Sequence, residues 1–444
     1  MPHVLTREQI LGLAPDASSA SAARGLASAR KWVALGRDER AAWGECQGSG
    51  KDPYRTQIDL NEPAFRCSCP SRKFPCKHGL GLFLLLTDAP AAFERTAPPA
   101  WVAEWLAKRD QSMRQRAAAP DAEPSDPDSQ PKHVSGASRS AAAREAKVAA
   151  GVAELGRWLR DLVRQGLAEA PSRPSSFWSA MAARMVDAQA PGLARMVREL
   201  AGVAATGEGW QARMLERIAR IHLLLEGYGR IAALPAAVQA DIRTAIGWTQ
   251  PQDELQAGVG LRDRWLVLGQ RVEEEDHLRT QRTWLWGTAC ARPALLLSFA
   301  MFNQPLDHSL SPGTAIDAEL VYFPGSYPLR ALVQRRHGPP TAFERLPGFP
   351  DLMAATGAYA AALAQLPWIE RFPLTLHQVI PARAGERWLL RDREDRIAPL
   401  ASSFEQGWRL LALSGGRPLT LFGEWNGLSL LPLSVWSEDG FDTL

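Results

Sequence analysis

Residues Phe65–Leu86 read FRCSCPSRKFPCKHGLGLFLLL, and the spacing inside this stretch organises the reading of the whole chain. Cys67, Cys69, Cys76 and His78 stand as C-x-C, six intervening residues, then C-x-H. Two ligands one residue apart come from one extended or turning segment and the second pair from another, which lets four side chains converge on one ion. Three thiolates and an imidazole suit borderline-soft Zn²⁺ in tetrahedral geometry. Four protein ligands fill that shell and leave no position for water, so the spacing predicts one structural zinc ion and not a hydrolytic centre. The apolar run after His78 starts like a helix, whose partly positive N-terminus helps hold nearby thiolates ionised. Gly79 and Gly81 weaken that helix intrinsically but permit close backbone approach around the site. A redox pair is disfavoured, because C-x-C closes a strained ring and no C-x-x-C is present.

Upstream, Trp43–Cys46 and Tyr54–Leu60 read as two strands around a Gly-rich turn at Gln47–Lys51. In the second, Tyr54, Thr56, Ile58 and Leu60 alternate with Arg55, Gln57 and Asp59, the period of a half-buried strand. Hairpin, C-x-C, spacer, C-x-H and following helix together resemble a SWIM-type zinc finger over roughly Trp43 to Leu86. Fingers of this family occur in chromatin-remodelling ATPases, transposase-like proteins, recombination accessory proteins and some ubiquitin ligases. The resemblance implies DNA or protein binding with zinc holding the fold. No ATPase, transposase or RING domain accompanies it here, so those activities do not transfer.

Charge sharpens the expectation locally. The full chain carries 51 Lys and Arg against 48 Asp and Glu, a formal charge of +3 that favours neither nucleic acid nor membrane as a whole. Within Asn61–Leu80, however, Arg66, Arg72, Lys73 and Lys77 stand against Glu62 alone. Three thiolates with Zn²⁺ return one negative charge, and a modest basic surface remains. These four cations are the candidate contacts to DNA or a partner protein, with solvated surface as the plain alternative. Phe65 and Phe74 are of the type that stacks on bases or on a partner, but packing beneath the finger as core is the favoured expectation, because so small a module has little else to bury.

Length and composition predict an α+β multidomain protein, with 444 residues, 46% hydrophobic and 22% charged. An N-terminal module over 1–110 contains the finger at about 43–86. Residues 111–140 are rich in Pro, Ser, Asp and Ala, with Pro120, Pro124, Pro127 and Pro131 spaced through them, and read as a flexible, disordered linker. Over 141–250 apolar residues recur at helical spacing, Val148, Val152, Leu155, Leu159 and Leu162 first, and predict an antiparallel helical array. Ser175 or Ser176 suits a helix cap, and Pro191 suits a helix start. From 261 to 444 short apolar runs bounded by Gly and Pro predict a β-rich domain, including RWLVLGQ, TWLWGTA, ALLLSFAMF, AIDAELVYF, LRALVQRR, WRLLALSGG, LTLFGEW and LSLLPLSVW. A helix is expected around Asp351 to Leu366, and a type I′ hairpin turn at Asn426-Gly427.

Other constellations carry less. Gly44–Lys51 superficially evokes a phosphate-binding loop, but five residues separate Gly44 from Gly50 and Asp52 stands where Ser or Thr should bind Mg²⁺. Glu273, Glu274, Glu275, Asp276 and His277 are ligand types, yet five adjacent side chains rarely converge, which favours a solvated turn. Cys46 and Cys290 read as buried small hydrophobes. His222, His308, His337 and His377 lack matching nucleophile or carboxylate signatures. The N-terminus lacks the long uncharged core of a secretory signal, no apolar run reaches the roughly 18 residues of a membrane span, and five cysteines fit a reducing compartment.

The expectation is therefore a non-catalytic cytoplasmic zinc protein whose finger binds DNA or a protein, with no membrane association and no identified small-molecule substrate. The Ala- and Arg-rich composition looks bacterial. Two rivals stand beside it: a protein-directed adaptor or regulator of an ATPase complex without DNA binding, and an enzyme subunit with an unrecognised site in the C-terminal domain.

Overall fold

The computed structural model describes the chain outside residues 1–6, 15–16, 48–51, 61–63, 72, 74, 119–133, 204–208, 249, 251, 276–277, 302–305, 308, 344 and 438–439. The first module begins with helices α1 (Arg7–Gly12) and α2 (Ala17–Arg24). Strands β1 (Trp32–Arg37), β2 (Ala41–Cys46), β3 (Tyr54–Asp59) and β4 (Ala64–Cys67) follow. Then come α3 (Lys77–Asp88), β5 (Glu94–Arg95) and α4 (Ala100–Ala118). The sheet order is β4-β3-β2-β1-β5, and the expected hairpin is the antiparallel β2–β3 pair, with Gly44 opposite Thr56. Its Gly-rich turn at 48–51 lies outside the described residues.

Helix α3 is apolar all round, and every residue from His78 to Leu86 is buried, as expected of a helix enclosed on all sides. It packs on one face of the sheet through Ile58, Phe65, Leu82 and Phe83, with Ile10 and Ala23 of the first two helices closing over it. A Cβ on Gly81 would lie 2.6 Å from Cβ of Leu26, so only glycine allows that approach. The alternation in Tyr54–Leu60 predicts one solvated sheet face, and here the structure differs. Gln57 and Asp59 are buried too. Helix α4 lays Val102, Trp105 and Leu106 over Ala41 and Trp43 on that second face. Arg40 and Arg109 reach Asp59 at 3.4 and 3.3 Å and satisfy its charge. The finger thus sits in a three-layer module with far more core than a bare zinc finger.

Helix α4 continues to Ala118 and the next helix, α5 (Val134–Gln165), begins inside the expected 111–140 linker. The central stretch of that linker, 119–133, lies outside the described residues.

The helical array comprises α5, α6 (Ser175–Asp187), α7 (Pro191–Val203), α8 (Trp210–Gly229) and α9 (Ala236–Ile246). Val148, Val152, Leu155, Leu159 and Leu162 of α5 are all buried, facing Met181, Met185, Leu193, Val197, Met214, Ile218, Ile221 and Ile242 in one core. Pro191 opens α7 as expected, whereas Pro174 occupies the N-cap of α6 and Ser175 is its first helical residue, with no side-chain cap.

After a short α10 (Gln252–Gln256), two six-stranded sheets complete the chain. The first contains β6 (Leu261–Glu275), β7 (Leu278–Gly287), β8 (Pro293–Met301), β9 (Thr314–Tyr322), β10 (Ala331–Arg336) and β11 (Thr341–Ala342). After α11 (Leu352–Gln365), the second contains β12 (Phe372–Ala384), β13 (Arg387–Arg391) and β14 (Ile397–Pro399), then α12 (Gly407–Ser414), β15 (Leu419–Trp425), β16 (Leu430–Ser437) and β17 (Gly440–Thr443). Asp351 caps α11 by accepting from the Ala354 N–H at 2.8 Å. The WRLLALSGG run, expected as a strand, is helix α12. Its Leu410 is fully buried while Trp408, two residues earlier, is exposed; a strand would put both on one face, whereas a helix separates them. The Asn426-Gly427 turn also differs. Only Gly427 takes a positive φ, and Asn426 instead accepts the Leu428 and Ser429 N–H groups in a four-residue loop.

The two sheets meet through Leu266, Leu268, Trp284, Phe422 and Leu433. A buried ion pair joins them, with Arg282 donating to Glu424 at 2.9 Å and Trp284 Nε1 donating to the same carboxylate at 2.8 Å. Glu273 of the expected acidic turn is used by Arg282 and Arg371, and Glu274 pairs with Arg279. Asp276 and His277 lie outside the described residues, as does His308. His222 is exposed near Glu226, His337 contacts Glu319 at 2.7 Å, and His377 meets Thr420 Oγ1 at 3.0 Å. Among the described residues His337 has a carboxylate partner and His377 a hydroxyl partner, and neither is shown with both.

Candidate metal centre

The four ligand types come from two places, as C-x-C and C-x-H spacing requires. Strand β4 ends at Cys67, Cys69 lies in the bend after it, Cys76 is the N-cap of α3 and His78 lies in its first turn. Their ligating atoms all lie within 4.8 Å of one another, and Nδ1 of His78 is 3.8 Å from Sγ of Cys67. A tetrahedron with Zn–S and Zn–N bonds of normal length has edges of about 3.6–3.8 Å. Cys76 and His78 are buried, and Cys67 and Cys69 are half-buried. The arrangement holds one zinc ion in a closed Cys₃His shell, and it leaves no coordination position for a reacting water.

The surrounding residues fix the ligands. Register places Thr56 opposite Cys67, and its hydroxyl lies 3.2 Å from Sγ. The Tyr54 ring lies against His78, centroids 5.1 Å apart. Beyond β4 the chain stays attached to β3, because Ser68 N–H donates to Arg55 O at 2.9 Å and Arg55 N–H donates to Ser68 Oγ at 3.0 Å. Helix α3 starts with Leu80 N–H donating to Cys76 O at 3.1 Å. A Cβ on Gly79 would press on Phe65 at 3.1 Å, so this glycine lets α3 seat against β4 beside the ligands.

The thiols cannot all ionise unaided. A hydrogen bond from Cys67 pulls the Cys76 thiol down to about 4 against the effect of burial, with help from His78 and the Gly79 N–H. The same contact, then burial, pushes Cys67 up, and burial raises Cys69 as well. Three thiols so placed share one negative charge until a divalent cation sits among them and favours every thiolate. The donor set therefore fits zinc on chemistry as well as on distance.

Cys46 is fully buried under α3 and stands outside the ligand group, and burial raises its thiol. Cys290 is half-buried beside Asp263, with its thiol raised to about 11 by burial first and by that carboxylate second. Of the four candidate contact cations, Arg66 is exposed on β4, Lys73 is exposed in the spacer and Lys77 is exposed at the first position of α3. Arg72 and Phe74 lie outside the described residues, while Phe65 is buried against Phe83 as expected. Thr56 and Tyr54 are the supporting residues that motif reading passes over. The strand register would have found Thr56, since it alone places that residue opposite Cys67.

Residues 54–86 match the SWIM zinc finger family, and residues 143–246 match the SWIM-associated four-helix bundle domain. No curated protein matches the chain, and no solved structure does. No helix among the described residues is long and apolar enough to cross a membrane. A finger and the bundle that accompanies it thus lie in one polypeptide, and the chain is a SWIM zinc finger domain-containing protein.

Proposed function

We propose that the chain is a non-catalytic DNA-docking protein, in which the zinc finger presents a basic rim and the bundle and β-rich region form the body. The observation that carries this reading is that Arg66, Lys73 and Lys77 are exposed on the segments that carry the four zinc ligands, two of them buried and two half-buried. Arg66 and Lys77 stand on β4 and α3, which the zinc ligands join, and Lys73 lies in the spacer between them. Charge is also segregated along the chain. Residues 1–118 carry 17 Lys and Arg against 12 Asp and Glu, whereas the remainder carries 34 against 36. A closed zinc shell supports a binding role for the finger over a hydrolytic one. Three zinc-bound thiolates require a reducing compartment, which supports the cytoplasm as its location.

The test is anisotropy of a labelled 20-base-pair duplex over a range of salt. Each phosphate neutralised contributes about −0.9 to the slope of log K against log salt. Replacing Arg66, Arg72, Lys73 and Lys77 with Gln is expected to flatten the slope by about 3 to 4 while zinc stays bound. No retention of duplex by the unmodified protein at low salt would overturn DNA docking and leave the protein-directed adaptor.

A further inference from the structure

A cleft lies where the end of the helical array meets the first C-terminal sheet. Two adjoining chambers of about 650 and 570 Å³ share Gln250, Arg292, Tyr322 and Pro324 in their walls. Either volume falls within the range of small-molecule sites, roughly 300–1,000 Å³. Arg243 of α9 and Arg292 of the β7–β8 connection both line the smaller chamber. Among the described residues neither forms an ion pair. Each is positioned by an aromatic ring instead: Arg292 over Tyr322 at 4.4 Å, and Arg243 over Trp248 at 5.7 Å with Gln239 Oε1 at 3.2 Å.

The neighbouring groups share this electrostatic character. Arg330 stacks on Phe323, itself a wall of the smaller chamber, at 4.1 Å. Burial holds Arg330 below the usual arginine range, and its Nε is buried without a hydrogen-bond partner. The Gln250 Oε1 is likewise buried and unpartnered at the junction of the chambers. Asp241 lies behind Gly325 and accepts the Ser326 N–H at 2.9 Å, and burial raises its carboxyl. Glu254, exposed in the larger chamber, is the carboxylate among the lining residues. The smaller of the two therefore offers two fork-shaped cations, an amide and aromatic walls with no carboxylate among its lining groups.

We propose that this cleft binds a phosphate monoester carrying a planar ring, the chemistry of a nucleotide. A phosphate monoester carries about −1.5 to −2 charge at neutral pH, which two guanidiniums match. Arginine forks bind its oxygens in pairs, and stacking on Tyr322 and Trp248 already orders the two side chains, so little rotamer freedom is lost on binding. The ring packs against the Tyr322 and Phe323 wall, and the Gln250 amide supplies an acceptor for a base N–H.

Calorimetric titration of the zinc-loaded full chain with 5′-AMP, inorganic phosphate and adenosine tests the proposal. Saturable 5′-AMP binding is expected, with phosphate and adenosine each at least tenfold weaker. Arg243→Ala and Arg292→Ala should each weaken 5′-AMP at least tenfold. Arg292→Lys, which keeps the charge and loses the fork, should fall between, and it carries the test if the alanine variant does not fold. No 5′-AMP binding at 1 mM, phosphate binding as tight as 5′-AMP, or undiminished affinity in the folded variants would each overturn it.

Discussion

Cys69→Ser removes one thiolate from the shell while changing little else, because Cys69 lies in the bend beyond β4 and outside both cores of the module. Structural zinc contributes on the order of 10–16 kcal/mol to small finger domains at neutral pH. Shared among four ligands, one thiolate carries about 3 kcal/mol, or roughly two orders of magnitude in zinc affinity. The structural consequence should be local. The core under α3 is built on Trp32, Ala42, Ile58, Leu80, Leu82 and Phe83, and α4 covers the opposite sheet face, so neither layer depends on Cys69. Competition against a chromophoric chelator reads the affinity, and amide hydrogen exchange reads the structure. The expected result is about 100-fold weaker zinc, faster exchange over residues 64–78, and unchanged protection at Ile58 and across 143–246. Zinc affinity within threefold of the unmodified protein would refute the assignment of Cys69 to the shell. Loss of protection throughout the bundle would refute the expectation that the effect stays local.

The same reasoning yields two further expectations for the body. Glu424→Gln strips the buried Arg282 of its main counter-charge while Glu273 still reaches it from the more exposed side, so the cost should sit near 3 kcal/mol; an unchanged urea midpoint would contradict it. Burial raises the Asp392 carboxyl, but the Leu352, Arg396 and Glu394 N–H groups and the Arg396 charge outweigh it, and the group titrates below the usual carboxylate range. Its stabilising contribution is then complete above the unfolded value near 3.9 and is lost as pH falls through the lower folded value. Thermal melts of Asp392→Asn should lie below those of the unmodified protein at pH 5 and converge with them as pH falls through the lowered folded value. A constant gap across that window would show that the contribution is not one of charge.

The zinc site was legible because its chemistry is written in residue type and spacing. Thiolates and imidazoles are rare, and their placement one residue apart in two pairs leaves few geometries open. The helical array was legible for a related reason, since Val148 to Leu162 mark one face without help from distant residues. What local pattern could not show is which elements cover which faces. Gln57 and Asp59 look like solvent residues in their own strand, and only the arrival of α4, some fifty residues later in the chain, makes them interior. Likewise WRLLALSGG has the β-like composition of its neighbours and becomes α12 because Leu410 turns onto the core beside β12. The paired guanidiniums of the cleft near Tyr322 were invisible for the same reason, coming from a helix and a strand connection about fifty residues apart.

The central claim is that Cys67, Cys69, Cys76 and His78 close around one structural zinc ion. Metal analysis of the purified full chain by mass spectrometry, alongside its concentration from Trp absorbance, tests it most directly. One zinc per chain is expected, lost on replacement of Cys76 by Ser. A folded chain that purifies without zinc, or a Cys76→Ser variant that retains a full equivalent, would contradict it.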